Sequence, residues 1–353
     1  MIILRCKLND SLTLSVVDQS PMREGSTAGI ALRETIDLAI AVEALGYQRY
    51  WVAEHHSLPN FAGTSPEMLI GQIAAHTNTI RVGSGGVMLS HYSSLKVAEN
   101  FALLDSLYPG RIDLGVGRAP GSDQITASAL AFPSHPKEIR YFPQQIHDLL
   151  GFLSNTLGED HPFSSIQASP SISETYPEVW LLGSRYDSAM MAAQLGLPFA
   201  YAHFFGSGAN EGPAIVEGYR RNFQASNHLS EPLVNVGIHV LCAETEEQAL
   251  KLASSRNLAR LKSITGRAQG IPSVEDAQNF SYRNDELAFM EQYSRNCVDG
   301  DPQQVKDGLY DLSERYETRD LSIVTICHAY EDRLRSYQLV AHECGISPIK
   351  LPS

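Results

Sequence analysis

The chain has 353 residues, 43% hydrophobic and 19% charged, which is enough apolar material for a large core and excludes a disordered chain. That length fits one α/β barrel with insertions, a fold that runs from about 250 to over 400 residues. A net charge of -13, from 40 acidic against 27 basic residues, with no basic cluster larger than Arg333 and Arg335, argues against nucleic acid or another polyanion as partner.

Short apolar runs alternate with segments of helical period, the pattern of repeated βα units. Leu12–Val17 reads as the first strand, 30–45 as a helix that Gly46 stops, and Tyr47–Ala53 as the second strand. A helix over Ser65–Asn78 follows, with Ser65 at its N-cap and Pro66 in its first position. Ile80–Leu89 reads as a third strand, Ser94–Leu107 as a helix and Ile112–Val116 as a fourth strand. A Gly/Ser/Pro-rich loop over 117–136 leads to a helix at Tyr141–Leu153, and a polar stretch over 155–176 leads to a fifth strand at Glu178–Leu182. Helix Ser188–Leu195, strand Pro198–Tyr201, helix Pro213–Ala225 and strand Leu233–Cys242 come next. Residues 244–300 are polar and mostly helical, too long for one crossover, and read as an insertion. Helix Gln303–Arg315, strand Leu321–Cys327 and helix Glu331–Cys344 complete the chain. Eight strands, each followed by a helix, predict a closed (β/α)8 TIM barrel, a single domain over 1–353 with a helical insertion at about 244–300.

Cys6, Cys242, Cys297, Cys327 and Cys344 show no CxxC spacing and no His at metal-ligand spacing, so they read as reduced structural thiols. Arg5, Lys7, Asn9 and Asp10 interrupt the apolar N-terminus, and no apolar run reaches membrane length. The expectation is a soluble, cytoplasmic protein.

In such a barrel the reacting groups belong at the C-terminal ends of the strands. The chemically capable residues cluster there. Strand two ends in Glu54-His55-His56, and strand three runs through Ser84-Gly85-Gly86 to His91-Tyr92. Strand four ends in Gly117-Arg118, strand five in Gly183-Ser184-Arg185, strand six in His203-Phe204-Phe205, and strand eight in His328. Adjacent histidines are often plain surface residues, but here a large apolar strand precedes them. Glu54 can fix a tautomer of a neighbouring imidazole or raise its basicity. Gly85-Gly86 marks either a bulge or a place where a planar ligand lies on bare backbone. Arg118 suits either a carboxylate partner or a phosphate, which a guanidinium binds bidentately. Gly183-Ser184-Arg185 before a helix is an ordinary turn or an anion site. Tyr201–Phe205 suits strand core or the wall of an apolar pocket.

Two readings fall away. Gly115-Val116-Gly117-Arg118-Ala119-Pro120-Gly121 is glycine-rich, but a dinucleotide loop needs a helix at once, and Pro120-Gly121-Ser122-Asp123 does not start one. No metal centre is expected either. Neighbouring side chains of an extended segment point opposite ways, so His55 and His56 do not converge on one ion, and strand one carries no HxH.

With these motifs on the page, the sequence resembles the bacterial luciferase-like flavin monooxygenases, over nearly its whole length. The densest matches are Trp51-Val52-Ala53-Glu54-His55-His56, Ile80–Leu89, Leu104–Leu107 through Gly110-Arg111 to Gly115–Arg118, and Val179–Ser184. The resemblance implies a barrel, usually dimeric, that binds reduced FMN at its C-terminal face and uses oxygen to oxidise an organic substrate, often an aldehyde. It makes His55 the catalytic histidine, with Glu54 in support. It sets Ser84, Gly85 and Gly86 against the flavin ring, often through a non-proline cis bond, and Gly117 where luciferases carry a reactive cysteine. Arg118, Arg140, Gly183, Ser184 and Arg185 become phosphate contacts, and His91, Tyr92, His203 and Phe204 pocket residues. Arg185 stands where relatives have a small residue, and Ser90 and Ser94 where they tend to have prolines. No nicotinamide fingerprint is present, so a separate flavin reductase is expected as transient partner. Two other readings stand beside this one: a deazaflavin-dependent hydride-transfer enzyme, and a non-catalytic flavin-binding protein of the same fold.

Overall fold

The computed structural model describes residues 11–118, 121, 123–170, 175–205 and 211–348. Cys6, the charged N-terminal residues, and Pro120 and Ser122 of the glycine-rich loop lie outside them.

In chain order the elements are β1 (Thr13–Asp18), α1 (Ala28–Leu45), β2 (Arg49–Val52), α2 (Pro66–His76), β3 (Arg81–Met88), α3 (Ser94–Leu107) and β4 (Ile112–Gly117). Then follow α4 (Gln124–Ala131), α5 (Phe142–Ser154), β5 (Glu178–Gly183), α6 (Tyr186–Leu195), β6 (Phe199–Ala202), α7 (Gly212–Asn222) and β7 (Val234–Cys242). The remainder is α8 (Glu246–Ile264), α9 (Val274–Asn279), α10 (Asn284–Ser294), β8 (Cys297–Gly300), α11 (Pro302–Tyr316), β9 (Asp320–Val324) and α12 (Tyr330–Cys344). Strands β1 to β7 pair in sequence, β7 pairs β9, and β9 returns to β1, all parallel, so eight strands close into a barrel. This is the (β/α)8 architecture expected from the alternation of elements. Outside the ring, α1 packs on α2 and α12, α3 on α5, α6 on α7, and α11 on α7 and α12.

Two elements depart from the sequence reading. Among the described residues there are nine strands, not eight. The extra one, β8, lies in the 244–300 segment with α8, α9 and α10, and pairs with the overhanging end of β7 from His239 to Cys242. The 117–136 segment, expected as loop, contains α4, whose N-terminus Asp123 caps by accepting from Thr126 N at 2.8 Å. Ser65 occupies the N-cap of α2 as expected, but its side chain makes no capping bond, and Pro66 at the first position removes one orphan N–H instead. At the other end of α1, Gly46 has φ 99°, and a Cβ there would lie 2.3 Å from the carbonyl carbon of Ser347. Both the left-handed turn and the close approach of the C-terminal segment require glycine.

The barrel interior is layered. At the bottom, buried Asp113 accepts from Arg81 Nε and Trp51 Nε1, each at 2.8 Å, while Arg49 pairs with Asp320 at 2.9 Å and lies 5.1 Å over the Trp180 ring. Above, the Trp51 and Trp180 rings meet edge-on at 5.2 Å. They continue through Val17, Val324 and Ile326 toward the C-terminal mouth. With the interior filled from the floor upward, the upper, C-terminal end is where this fold generally holds its ligands. At the end of β1, Asp18 accepts from Ser20 N, Tyr50 Oη and Arg333 Nη2, tying the mouth to α12. Burial disfavours the charged form of Arg333, but adjacent Asp18 outweighs it and raises the guanidinium pKa, so the guanidinium stays charged. Cys242, Cys297, Cys327 and Cys344 are free thiols, and no described helix is long and apolar enough to cross a membrane.

Candidate active site

The strand ends bring the rim residues into three groups. The first surrounds Glu54, which is 1% exposed just past β2. Its Oε1 accepts from His56 Nε2 and from Tyr92 Oη, both at 2.7 Å, and its Oε2 accepts from Met88 N at 2.8 Å. His91 joins through an edge-on ring contact with His56, centroids 6.0 Å apart. Glu54 therefore holds His56 and Tyr92, not His55. This corrects the expectation that it supports the neighbouring imidazole of His55, and it gives His56 a role that the sequence reading left empty. Tyr92, expected in the substrate pocket, is instead a strut between the end of β3 and this carboxylate. Burial first, then the Glu54 charge and hydrogen bond, raise its phenol pKa, so it remains a donor.

The second group lines a cavity of about 360 Å³ at the barrel mouth. His55 stands in its wall, stacked on Phe61 at 4.7 Å, with its backbone N–H fixed to Gly63 O at 2.9 Å. Its Nδ1 is buried without a hydrogen-bond partner among the described residues. Such an atom costs about 1–3 kcal/mol, and an orphan of this kind points to strain, an unfilled partner or chemistry. Desolvation, helped by His56, lowers its pKa from 6.5 to about 4, so the ring is neutral at pH 7. Phe204, Phe205, Gly121 and Ile326 add apolar wall. His203 does not join them. It is 5% exposed, and its Nδ1 meets Tyr316 Oη of α11 at 2.8 Å, so it faces the outer helix layer. The short helical turn at His203–Phe205 swings adjacent side chains apart, which corrects its assignment to the pocket. His328 is likewise held by its Nδ1 contact to Ile271 O at 3.0 Å.

The third group is the turn into α6. Arg185 is its N-cap residue and makes no capping bond, so the first amides of α6 have no side-chain cap among the described residues. Arg118 reaches this turn, with Nη1 3.7 Å from Asp187 Oδ2 in the first turn of α6. Asp187 is 75% exposed, and an ion pair that long and wet contributes little. The Arg185 side chain is exposed and does not fill the turn. At Gly183 a Cβ would lie 2.5 Å from Ser188 Cβ, so close helix packing requires glycine there. Arg140 is not brought to this group: it sits 68% exposed before α5, paired with Glu138 at 2.8 Å.

Between these groups runs the Gly85–Gly86 peptide, which is cis, with a register shift between Gly85 and Val87. A Cβ at Gly86 would lie 2.7 Å from Gly115 O, and one at Gly85 3.1 Å from Trp51 Cβ. The pair is thus demanded by barrel packing and also leaves bare backbone at the mouth. Ser84 is wholly buried with Oγ donating to Gly115 O at 2.8 Å, so its hydroxyl is spent within the sheet. Gly117 is buried against Met88.

Several lining residues escaped the sequence reading: Gln19, Asn60, His239, Arg256, Arg260 and Tyr293. His239 was the most legible of them, a single imidazole in β7, where Asn235 is the one other strongly polar residue. The two arginines come from α8, within the segment expected as a helical insertion.

Residues 12–318 match the family model described as luciferase-like monooxygenase. The chain is 45% identical over 330 residues to YwcH of Bacillus subtilis (strain 168), covering 93% of this chain and 98% of that protein. It is 38% identical over 334 residues to the N-acetyl-S-alkylcysteine monooxygenase of the same organism, covering 94% and 97%. Among solved structures, apo-MsnO8 superposes with a TM-score of 0.88 at 36% identity, covering 96% of this chain and all of that one.

Proposed function

The chain belongs to the luciferase-like monooxygenases, and from that premise we propose that it uses reduced FMN and molecular oxygen to oxidise a small organic substrate with an apolar body. The donor set fits FMN. Arg118, the Ser184 hydroxyl and the uncapped first amides of α6 offer a phosphate a guanidinium, a hydroxyl and a helix N-terminus together. The bare backbone at Gly85–Gly86, free of side chains, offers the flavin ring a flat surface. Bound reduced FMN supplies the electrons and the centre at which oxygen is activated.

The chain's own residues do the rest. Neutral His55 can accept a proton at an imidazole nitrogen or hydrogen-bond a reacting oxygen at the cavity wall. Phe61 holds its ring plane and Gly63 its backbone. Glu54 acts as a positioning residue, fixing the β2 and β3 ends through His56, Tyr92 and the Met88 amide. Phe204, Phe205 and Ile326 keep water from the apolar part of the cavity. The single observation that carries the proposal is His55, with its buried unpartnered nitrogen, in the wall of a cavity at the C-terminal mouth of a barrel of this family. A separate reductase delivers the reduced flavin. The test is oxygen uptake by the purified protein with FMN, NADH and an added flavin reductase. Uptake above the reductase background, together with micromolar binding of reduced FMN, is expected; no flavin binding at high micromolar concentration overturns the proposal.

A further inference from the structure

Along α8 the basic residues differ in how they are matched. Arg256, 1% exposed, makes a bidentate pair with Asp299, Nη1 to Oδ1 at 2.8 Å and Nη2 to Oδ2 at 2.7 Å. Lys262 pairs with Glu24 at 2.7 Å. Arg260, one turn beyond Arg256 on the same side of the helix and partly buried, has no hydrogen bond or ion pair among the described residues. Like charges at this spacing repel, so nothing in the helix itself favours the arrangement.

Both arginines line the 360 Å³ cavity that holds His55, and no described Asp or Glu lines it. That is notable in a chain of net charge -13. The remaining polar lining adds no negative charge. Asn60 is occupied by Ser263 Oγ and by Gly270 N, and burial, with Arg256 and Arg260 contributing, lowers the His239 pKa to about 3, leaving it neutral. With Arg256 neutralised by Asp299, the cavity carries one uncompensated positive charge beside Phe61, Phe204, Ile271 and Ile326. Its volume lies within the roughly 300–1,000 Å³ usual for small-molecule sites.

We infer that the substrate of this site is an organic monocarboxylate: its apolar body lies against the aromatic wall beside His55, and its carboxylate is taken bidentately by Arg260. A single unit charge with a flat fork of donors matches a carboxylate, and a phosphate dianion would leave a negative charge unmatched. The Arg118 and α6 group lies at the ends of β4 and β5, away from the β7 and α8 side of the mouth, so a flavin phosphate there does not compete for Arg260. The inference rests on the monooxygenase reading for its chemistry, but its recognition step is measurable without flavin.

The experiment is calorimetric titration of the flavin-free full chain with 4-phenylbutyrate, octanoate and indole-3-propionate, each beside its methyl ester. Wild type should bind at least one acid more than 10-fold tighter than its ester. Arg260→Met should reduce that preference to within 2-fold while keeping the thermal melting point and the affinity for reduced FMN, and Arg260→Lys should recover part of it. Equal affinity for acid and ester, no binding of any of the six compounds, or a preference that survives Arg260→Met overturns the inference. If Arg260→Met unfolds the protein, Arg260→Gln, which keeps polarity without charge, takes its place under the same criteria. Loss of reduced-FMN binding by wild type contradicts the monooxygenase reading alone, and leaves the acid-to-ester comparison to be judged by itself.

Discussion

Glu54→Gln isolates what a buried carboxylate does at the barrel rim, because it preserves shape and changes only the hydrogen-bonding capacity. All three groups that face Glu54 are donors: His56 Nε2 and Tyr92 Oη at Oε1, and Met88 N at Oε2. A carboxamide has one accepting oxygen. If that oxygen keeps His56 and Tyr92, the amide NH2 faces the Met88 N–H, donor against donor; if it turns round, two bonds are lost instead of one. Hydrogen bonds to charged groups contribute about 1.5–3 kcal/mol, and a buried donor left without an acceptor costs about 1–3 kcal/mol. The expected net loss is about 2–4 kcal/mol. At about 2 °C per kcal/mol for a chain of this size, the melting temperature should fall by about 4–8 °C. Calorimetry at pH 7.5 on Glu54→Gln, Tyr92→Phe and the double variant would read it. Tyr92→Phe alone should cost about 1 kcal/mol, and the double variant should cost less than the sum, because the two share one bond. A Glu54→Gln protein melting within about 1 °C of wild type, or strict additivity, would refute the assignment of Glu54 as the organising acceptor of this rim.

Three further outcomes follow from the same geometry. His55→Ala should lower kcat in the reductase-coupled assay by about 10²–10⁴-fold and leave the Kd for reduced FMN nearly unchanged, since His55 faces the substrate cavity; a kcat within twofold of wild type refutes the catalytic role. Arg118→Met should weaken FMN by about 10–100-fold, the loss of a charged hydrogen bond, and leave riboflavin, which lacks the phosphate, unaffected; equal weakening of both would place the arginine elsewhere. Burial holds His55 and His203 at about 4 and His239 at about 3, against 6.5 when unfolded. Between those values the unfolded chain binds more protons than the folded one, so stability present above about pH 6.5 is lost as pH falls toward 4. Urea midpoints at pH 7.5 and 5.0 should show this drop, and His239→Asn should make it shallower.

Much of the scaffold was legible because periodicity and strand ends are strong signals. The alternation of apolar runs and helical segments led to the closed barrel, and the rim residues from Glu54 to Phe204 were found by residue type at strand ends. What failed has local physical reasons. β8 is four residues long, includes a charged Asp299, and exists because β7 overhangs the ring, which no local pattern announces. α4 is short and flanked by glycine, serine and proline, although Asp123 ahead of Thr126 was a readable cap. The partner of Glu54 could have been foreseen: in extended chain, residues two apart share a side, so Glu54 faces with His56 and away from His55. Arg256 and Arg260 were also visible as arginines with no acid three or four residues away on their helix, a pattern that predicts partners elsewhere in the fold. Asp299 supplied one from a distant strand, and Arg260 was left open to the cavity.

FMN is expected on one face of this barrel, with its phosphate at Arg118 and the α6 turn and its ring against Gly85–Gly86. A crystal structure of the protein soaked with FMN tests it most directly. The phosphate should lie within hydrogen-bond distance of Arg118, Ser184 and the first amides of α6, with the ring between the Gly85–Gly86 peptide and the cavity that holds His55. FMN bound anywhere else, or a phosphate taken by Arg140 or Arg260 instead, would contradict it.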